Sequence, residues 1–179
     1  MRSTGARALN LDRLPPVLDI EASGFGTGSY PIEVGWVLAD GRSFCSLIRP
    51  LPQWTRWDPK AEEMHHISRK VLGERGRDIA EVTRLLDEHL RGQTVYTDGW
   101  ANDYTWLHQL YDAVDRLPSF RLESLRALLD DQSAARWAAA KSAVLQRTGM
   151  PRHRASADAR VMQLALAELG RAGEASALR

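Results

Sequence analysis

Cysteine is nearly missing from this chain: Cys45 is the only one. A single thiol excludes an internal disulfide and a thiolate zinc cluster, and such usage fits a reducing cytoplasm. No apolar run approaches the ~20 residues that span a bilayer, so a membrane is not an expected partner. Arg2 and Arg7 are followed by no apolar segment, and no signal peptide is expected. An excess of one charge is missing as well, with 24 Lys and Arg facing 23 Asp and Glu for a net of +1. Nucleic-acid binding through bulk positive charge is thereby excluded, although an acidic site with a local basic rim is not. Gly24, Gly26 and Gly28 lack both the Gly-x-x-x-x-Gly-Lys pattern and a dinucleotide fingerprint, so they read as a turn rather than a phosphate loop. What is present is 179 residues, 44% apolar and 26% charged, enough for one domain with its own core.

Residues 1–14 read as a loose tail, 15–170 as a single domain and 171–179 as a second tail. Strands are expected at Pro16–Glu21, Ile32–Ala39 and Arg42–Ile48, the last two joined by a two-residue Asp40-Gly41 hairpin turn. Cys45 reads as a small buried strand residue. A short helix around Pro59–His65 has Pro59 in its first turn, and Ser68 caps another that stops at Gly73. Asp78 caps a helix reaching Leu90, with Ile79, Val82, Leu85, Leu86 and Leu90 as its apolar stripe. A short strand at Thr94–Tyr96, a helix at Asn102–Val114 and an extended stretch at Leu117–Leu122 follow. Helical segments then run at Leu125–Leu129, Gln132–Gln146 and Ala157–Leu169, the last ending at Gly170. This pattern predicts an α/β fold: one sheet flanked by helices, with an antiparallel hairpin at one edge.

The chemistry is carried by acids. In Val17-Leu18-Asp19-Ile20-Glu21, Asp19 and Glu21 share one strand face while Leu18 and Ile20 take the other. Two like charges side by side repel, so the pair is either a solvated edge or one wall of a cation site. Asp103 heads the stripe Trp106, Leu107, Leu110 and Val114. Asp158 heads the stripe Met162, Ala165, Leu166 and Leu169. Each is alternatively a helix cap favoured by the dipole. Taken together, four acids aim from one strand and two helix starts at the same interior place. An all-oxygen donor set selects Mg²⁺ or Mn²⁺ over Zn²⁺, and four carboxylates suffice for two such ions. His153 lies in the loop before Asp158. Imidazole changes charge near neutral pH, so His153 is a candidate general base, with a solvated loop histidine as the alternative.

Three motifs resemble those of the DEDDh exonucleases, the DnaQ-like or RNase T-like 3′→5′ enzymes. They are Asp19-Ile20-Glu21, Asp103-Tyr104-Thr105-Trp106-Leu107 and His153-Arg154-Ala155-Ser156-Ala157-Asp158-Ala159. Ser23-Gly24-Phe25, Ile32-Glu33-Val34-Gly35 and His65-His66-Ile67-Ser68 are similar to further family segments, and the likeness extends from Val17 to Leu169. Asn102 and Gly99 depart from the aromatic and asparagine that the family usually carries before its second-motif aspartate.

The resemblance implies a ribonuclease H-like fold with a five-stranded mixed sheet flanked by helices. It implies catalytic Asp19, Glu21, Asp103, His153 and Asp158, the four acids holding two divalent cations, Mg²⁺ or Mn²⁺. The implied substrate is the 3′ end of single-stranded DNA or RNA. Ser23, Gly24, Phe25 and His65 are its expected terminal-nucleotide contacts. Arg152 and Arg154, with Arg147 and Arg160 nearby, are expected to steer phosphates or to form a plain solvated basic loop. Trp54, Trp57 and Trp100 read as packing residues before base-stacking ones. Competing functions are oligoribonuclease-like degradation of very short RNA, a polymerase-associated proofreading subunit, and a non-catalytic nucleic-acid-binding module on the same fold. A homodimer is compatible with each.

Overall fold

A computed structural model describes residues 14–177, with side chains through Arg171. The expected tail over residues 1–14 therefore lies, except for Leu14, outside the described residues. Five strands form one mixed sheet: β1 (Val17–Ala22), β2 (Pro31–Val37), β3 (Ser43–Leu47), β4 (Thr94–Thr97) and β5 (Arg121–Ser124), in the order β3-β2-β1-β4-β5. β1 pairs antiparallel with β2, and β2 with β3; β4 is parallel to both β1 and β5. β1 is thus the central strand, and a solvated edge is excluded for Asp19 and Glu21. Among the described residues, six helices flank the sheet: α1 (Pro59–His65), α2 (Arg69–Arg75), α3 (Ile79–Leu90), α4 (Trp100–Asp112), α5 (Asp131–Thr148) and α6 (Ala155–Ala177). A 3-10 turn at Leu125–Leu128 follows β5. Among the described residues, no helix is long and apolar enough to cross a membrane.

The two faces of the sheet bury separate cores. Leu18, Ile20, Val34 and Trp36 pack with Val82, Leu86 and Leu90 of α3 and Leu107 and Leu110 of α4. On the other face, Val17 and Val37 pack with Ala159, Met162, Leu166 and Leu169 of α6. β2 is buried at every position because strands border it on both edges and helices cover it. Side-chain alternation along β1 is what sends Asp19 and Glu21 to the α6 face.

Several local expectations are corrected. The hairpin turn spans three residues, not two: Gly41 N–H donates to Leu38 O, Leu38 N–H to Arg42 O, and Gly41 takes φ 85°. That is a tight turn followed by a left-handed glycine, a common longer hairpin connection. Gly73 does not stop α2, because a lone helical glycine costs only about 1 kcal/mol; Gly76 caps the helix instead. Asp78 occupies the N-cap position of α3 without a capping hydrogen bond, its carboxylate being taken by Arg49 at 2.8 Å. α6 runs through Gly170 to Ala177, so the expected tail from 171 begins as helix for the same reason as at Gly73. Cys45 is exposed, since β3 is an edge strand whose outer positions meet water.

Candidate active site

The site forms at the carboxyl ends of β1 and β4, where a strand with an antiparallel neighbour on one side meets a parallel one on the other. Ligands of open α/β sheets favour such a switch point. Asp19 and Glu21 come from β1, Asp103 from α4, Asp158 from the first turn of α6 and His153 from the loop just before it. With Gly24, Phe25, Met64, His65 and Trp106 they line one cleft of about 240 Å³. Donor atoms of Glu21, His153 and Asp158 lie within 4.8 Å of one another.

One glycine makes this convergence possible. Gly35 pairs with Asp19 across the sheet. A Cβ there would stand 2.1 Å from Ser156 N and 2.2 Å from the Ala155 carbonyl carbon. The first turn of α6 therefore rests directly on the β2 backbone, one strand away from Asp19. Glu33, two residues earlier and fully buried, then holds that turn. Its carboxylate accepts from Ala155 N at 2.9 Å and from Arg154 Nη2 at 2.7 Å and Nε at 3.2 Å. This is a helix N-terminus held by a carboxylate and a bidentate arginine.

Asp158 sits in the first turn of α6 and reaches back, accepting the His153 backbone N–H at 2.9 Å. The capping reading is thus partly true of Asp158, whose carboxylate also faces the cleft. Asp103 likewise lies in the first turn of α4, where no side chain makes a capping hydrogen bond. There its carboxylate accepts from the Thr97 hydroxyl, at the end of β4. Gly99 N–H donates to the same hydroxyl at 3.1 Å, and a Cβ on Gly99 would come within 3.0 Å of Asp103 Oδ2. The departure from the family pattern at Gly99 thus leaves room for the acid. Thr97, Glu33 and Gly35 were not singled out as site-building residues. A buried hydroxyl closing a strand and an acid two residues before a strand glycine were the available signals.

Burial raises the proton affinity of all four acids, and for Asp19 and Glu21 the neighbouring carboxylates add to it. Burial first, then the carboxylates of Asp103, Glu21, Asp158 and Asp98, raise Asp19 well above the usual carboxylate range. Burial, Asp158 and Glu33 push Glu21 up to about 7. Burial pushes Asp103 up to about 7 against the Thr97 hydrogen bond. Burial raises Asp158, opposed by the His153 N–H. Among the described residues, no Lys or Arg forms an ion pair with any of the four. Clustered oxygen donors with raised proton affinity and no internal cation fit hard divalent ions.

The sign of the pH dependence follows. The folded protein keeps protons that the unfolded chain releases near 4, so these acids stabilise it below that pH. The contribution is lost as pH rises through about 7 for Glu21 and Asp103. Mg²⁺ or Mn²⁺ is therefore expected to raise the Tm of metal-free protein more at about pH 8 than at about pH 5. Thermal melts with and without metal read this directly; an equal rise at both values contradicts it.

The substrate contacts divide. Phe25 is 59% exposed at the cleft rim, its ring 6.0 Å from that of Trp106. Gly24, at φ 154°, is backed by Asp58, whose Cβ is 2.8 Å from where a Gly24 side chain would begin. His65 is buried at the cleft wall; its Nδ1 accepts from Ile67 N, its Nε2 has no hydrogen-bond partner, and burial lowers its proton affinity. Ser23 does not join them: it is fully buried, and its hydroxyl accepts from Tyr30 N at 3.2 Å. Arg154 is committed to Glu33, Arg147 to Glu168, and Arg160 to Gly41 O and Gln163. Of the four arginines, Arg152 alone makes no ion pair or side-chain hydrogen bond among the described residues. It lines a second cleft of about 370 Å³ with Lys141 and Asp98, sharing Asp19, His153 and Asp158 with the first. Lys141 pairs there with Asp98, which also accepts from Trp137 Nε1 at 3.2 Å. Trp54 packs on Tyr30 with ring centroids 5.4 Å apart and Trp57 is half-buried, whereas Trp100 is 40% exposed.

No family model matches this chain, and no curated protein matches it in sequence. Solved structures do match. Exonuclease I from Methylocaldum szegediense superposes with a TM-score of 0.61 at 19% identity, over 88% of this chain and 40% of that one. The fold is ribonuclease H-like. The zinc-bound E. coli exonuclease I–ssDNA complex gives 0.64 at 12% identity, over 89% of this chain and 40% of that one. The RNase domain of yeast Pop2 gives 0.61 at 14% identity, over 90% and 78%. This chain spans about two fifths of the length of the exonuclease I structures.

Proposed function

We propose that this chain is a metal-dependent 3′→5′ exonuclease of the DEDDh kind, releasing nucleoside 5′-monophosphates from single-stranded ends. The observation that carries this reading is the gathering of four mutually repelling carboxylates and His153 in one cleft. A non-catalytic binding module has no use for that destabilising arrangement. The similarity to nucleases that include a single-stranded DNA complex supports the same substrate class.

Asp19, Glu21, Asp103 and Asp158 are the residues that would hold the divalent ions. When bound, two such ions supply stabilisation of charge on the attacking and leaving oxygens of the phosphodiester. His153 takes the proton of the attacking water, the role its place beside Glu21 and Asp158 allows. Its backbone takes φ 58° and is tied to Asp158, and the residue lines the cleft. Phe25 stacks on the terminal base, and His65 closes the wall behind it. Arg152, beside the Lys141–Asp98 pair, attracts the phosphates from the neighbouring cleft.

The test is a 5′-labelled panel of single-stranded DNA, RNA and dinucleotides with Mn²⁺ or Mg²⁺, beside EDTA and an Asp19→Ala control. Metal-dependent laddering from the 3′ end is expected, and its absence on every substrate defeats the reading. Preference within the panel separates DNA, RNA and very short RNA as substrates. His153→Ala is expected to lower kcat by about 10²–10⁴ while metal affinity stays nearly constant. Undiminished turnover removes His153 from the mechanism, and lost metal affinity makes it a ligand instead of a base.

A further inference from the structure

The mechanism above leaves a run of aromatic side chains on α4 unused. Trp100, Tyr104 and His108 recur every fourth residue and so share one helix face. Their ring centroids are 5.0 Å apart for Trp100 and Tyr104, and 4.2 Å for Tyr104 and His108. The rings lean on one another with no slot between them, and their outer faces are open: Trp100 and Tyr104 are each 40% exposed. The buried stripe of Trp106, Leu107 and Leu110 anchors α4, and on the second face Trp100 Nε1 donates to Leu122 O of β5 at 3.3 Å, which fixes one end of the aromatic run against the sheet. Among the described residues the exposed large hydrophobics are Phe25, Met64, Trp100, Tyr104 and Leu117. Phe25 and Met64 line the catalytic cleft, and Tyr104 lines the groove beside it. That groove encloses about 710 Å³ and shares Asn102 and Trp106 with the cleft. Its walls are Gly26–Ser29 on one side and Tyr104, His108 and Gln109 on the other.

We propose that the Trp100–Tyr104–His108 face is a stacking track for the nucleobases that precede the terminal nucleotide of a single strand. The inference rests on the nuclease reading and deepens it by assigning where the remainder of the substrate lies. Continuity with the cleft places the track where an emerging strand runs. Every base presents a π-face, so an aromatic surface of this kind holds a strand without reading its sequence and with little charge. The near-neutral balance of the chain is consistent with that mode of binding. Affinity then grows with strand length until the track is filled, and a dinucleotide does not reach it.

The experiment compares wild type, Tyr104→Ala, Tyr104→Phe and His108→Ala. Kinetics are read on a dinucleotide and on a single strand of about ten nucleotides. Binding of the same labelled strand is read by fluorescence anisotropy in EDTA. Tyr104→Ala is expected to raise KM and weaken anisotropy binding on the long strand by about tenfold, with kcat and dinucleotide kinetics unchanged. Tyr104→Phe, which keeps the ring, is expected to match wild type. Equal losses on both substrates overturn the track and make Tyr104 a support of the cleft. Unchanged long-strand binding also overturns it and leaves the face to a protein partner. If wild type cleaves neither substrate, the nuclease reading fails on its own evidence, and the anisotropy arm still decides whether the face binds a strand.

Discussion

Asp19→Asn is expected to lower cleavage by at least about thousandfold, roughly 4 kcal/mol of transition-state stabilisation, while making the metal-free protein more stable. The two effects share one cause. Asp19 lies beneath Asp103, Glu21, Asp158 and Asp98, each of which disfavours its charge. The amide keeps the shape and removes that repulsion, so the Tm without metal is expected to rise by about 2–6 °C at neutral pH. It also removes a carboxylate that would hold the ions, so the stabilisation that added metal gives wild type shrinks. A variant that keeps cleaving, or that melts earlier than wild type in EDTA, contradicts this assignment. Observing both changes together separates a functional acid from a structural one, because losing a structural acid does not stabilise the fold.

Gly35→Ala tests the scaffold rather than the chemistry. The added Cβ meets backbone atoms of Ala155 and Ser156, not the end of a flexible side chain. Either α6 lifts from β2 or β2 shifts within the sheet, and both carry Asp158 and His153 away from Asp19. The expected cost is at least about 3 kcal/mol, a fall in Tm of about 6–12 °C. Cleavage by the remaining folded protein is expected to fall more than about a hundredfold, since misplacement by an ångström suffices. A thermal melt and an assay below the new Tm measure the two. A Gly35→Ala protein that melts within a degree or so of wild type would mean that α6 does not rest on the strand as described.

The legible parts of the sequence were those set by local period. Alternation put Asp19 and Glu21 on one face of β1. The helical period put Asp103 and Asp158 at the heads of buried stripes. The Asp-Gly pair marked the hairpin. The parts set by distant partners were not legible. Arg154 read as a phosphate contact because its partner Glu33 is 121 residues away in the chain. Ser23 read as a substrate contact because nothing local shows that its hydroxyl turns to Tyr30. Gly73 and Gly170 read as helix stops because glycine is weak in helices, yet neighbouring turns and packing outweigh about 1 kcal/mol. Trp100 packs in part as the sequence suggests, its Nε1 donating to Leu122 O, while its 40% exposure depends on which side of α4 the sheet occupies.

Calorimetric titration of Mn²⁺ into metal-free protein, wild type beside Asp19→Asn, tests the central claim most directly. If Asp19, Glu21, Asp103 and Asp158 form one cradle, wild type takes up about two ions per chain in a saturable reaction that releases protons near neutral pH. The Asn variant loses at least one of the two and most of the proton release. Uptake by Asp19→Asn equal to that of wild type, or no saturable uptake by either, would contradict it.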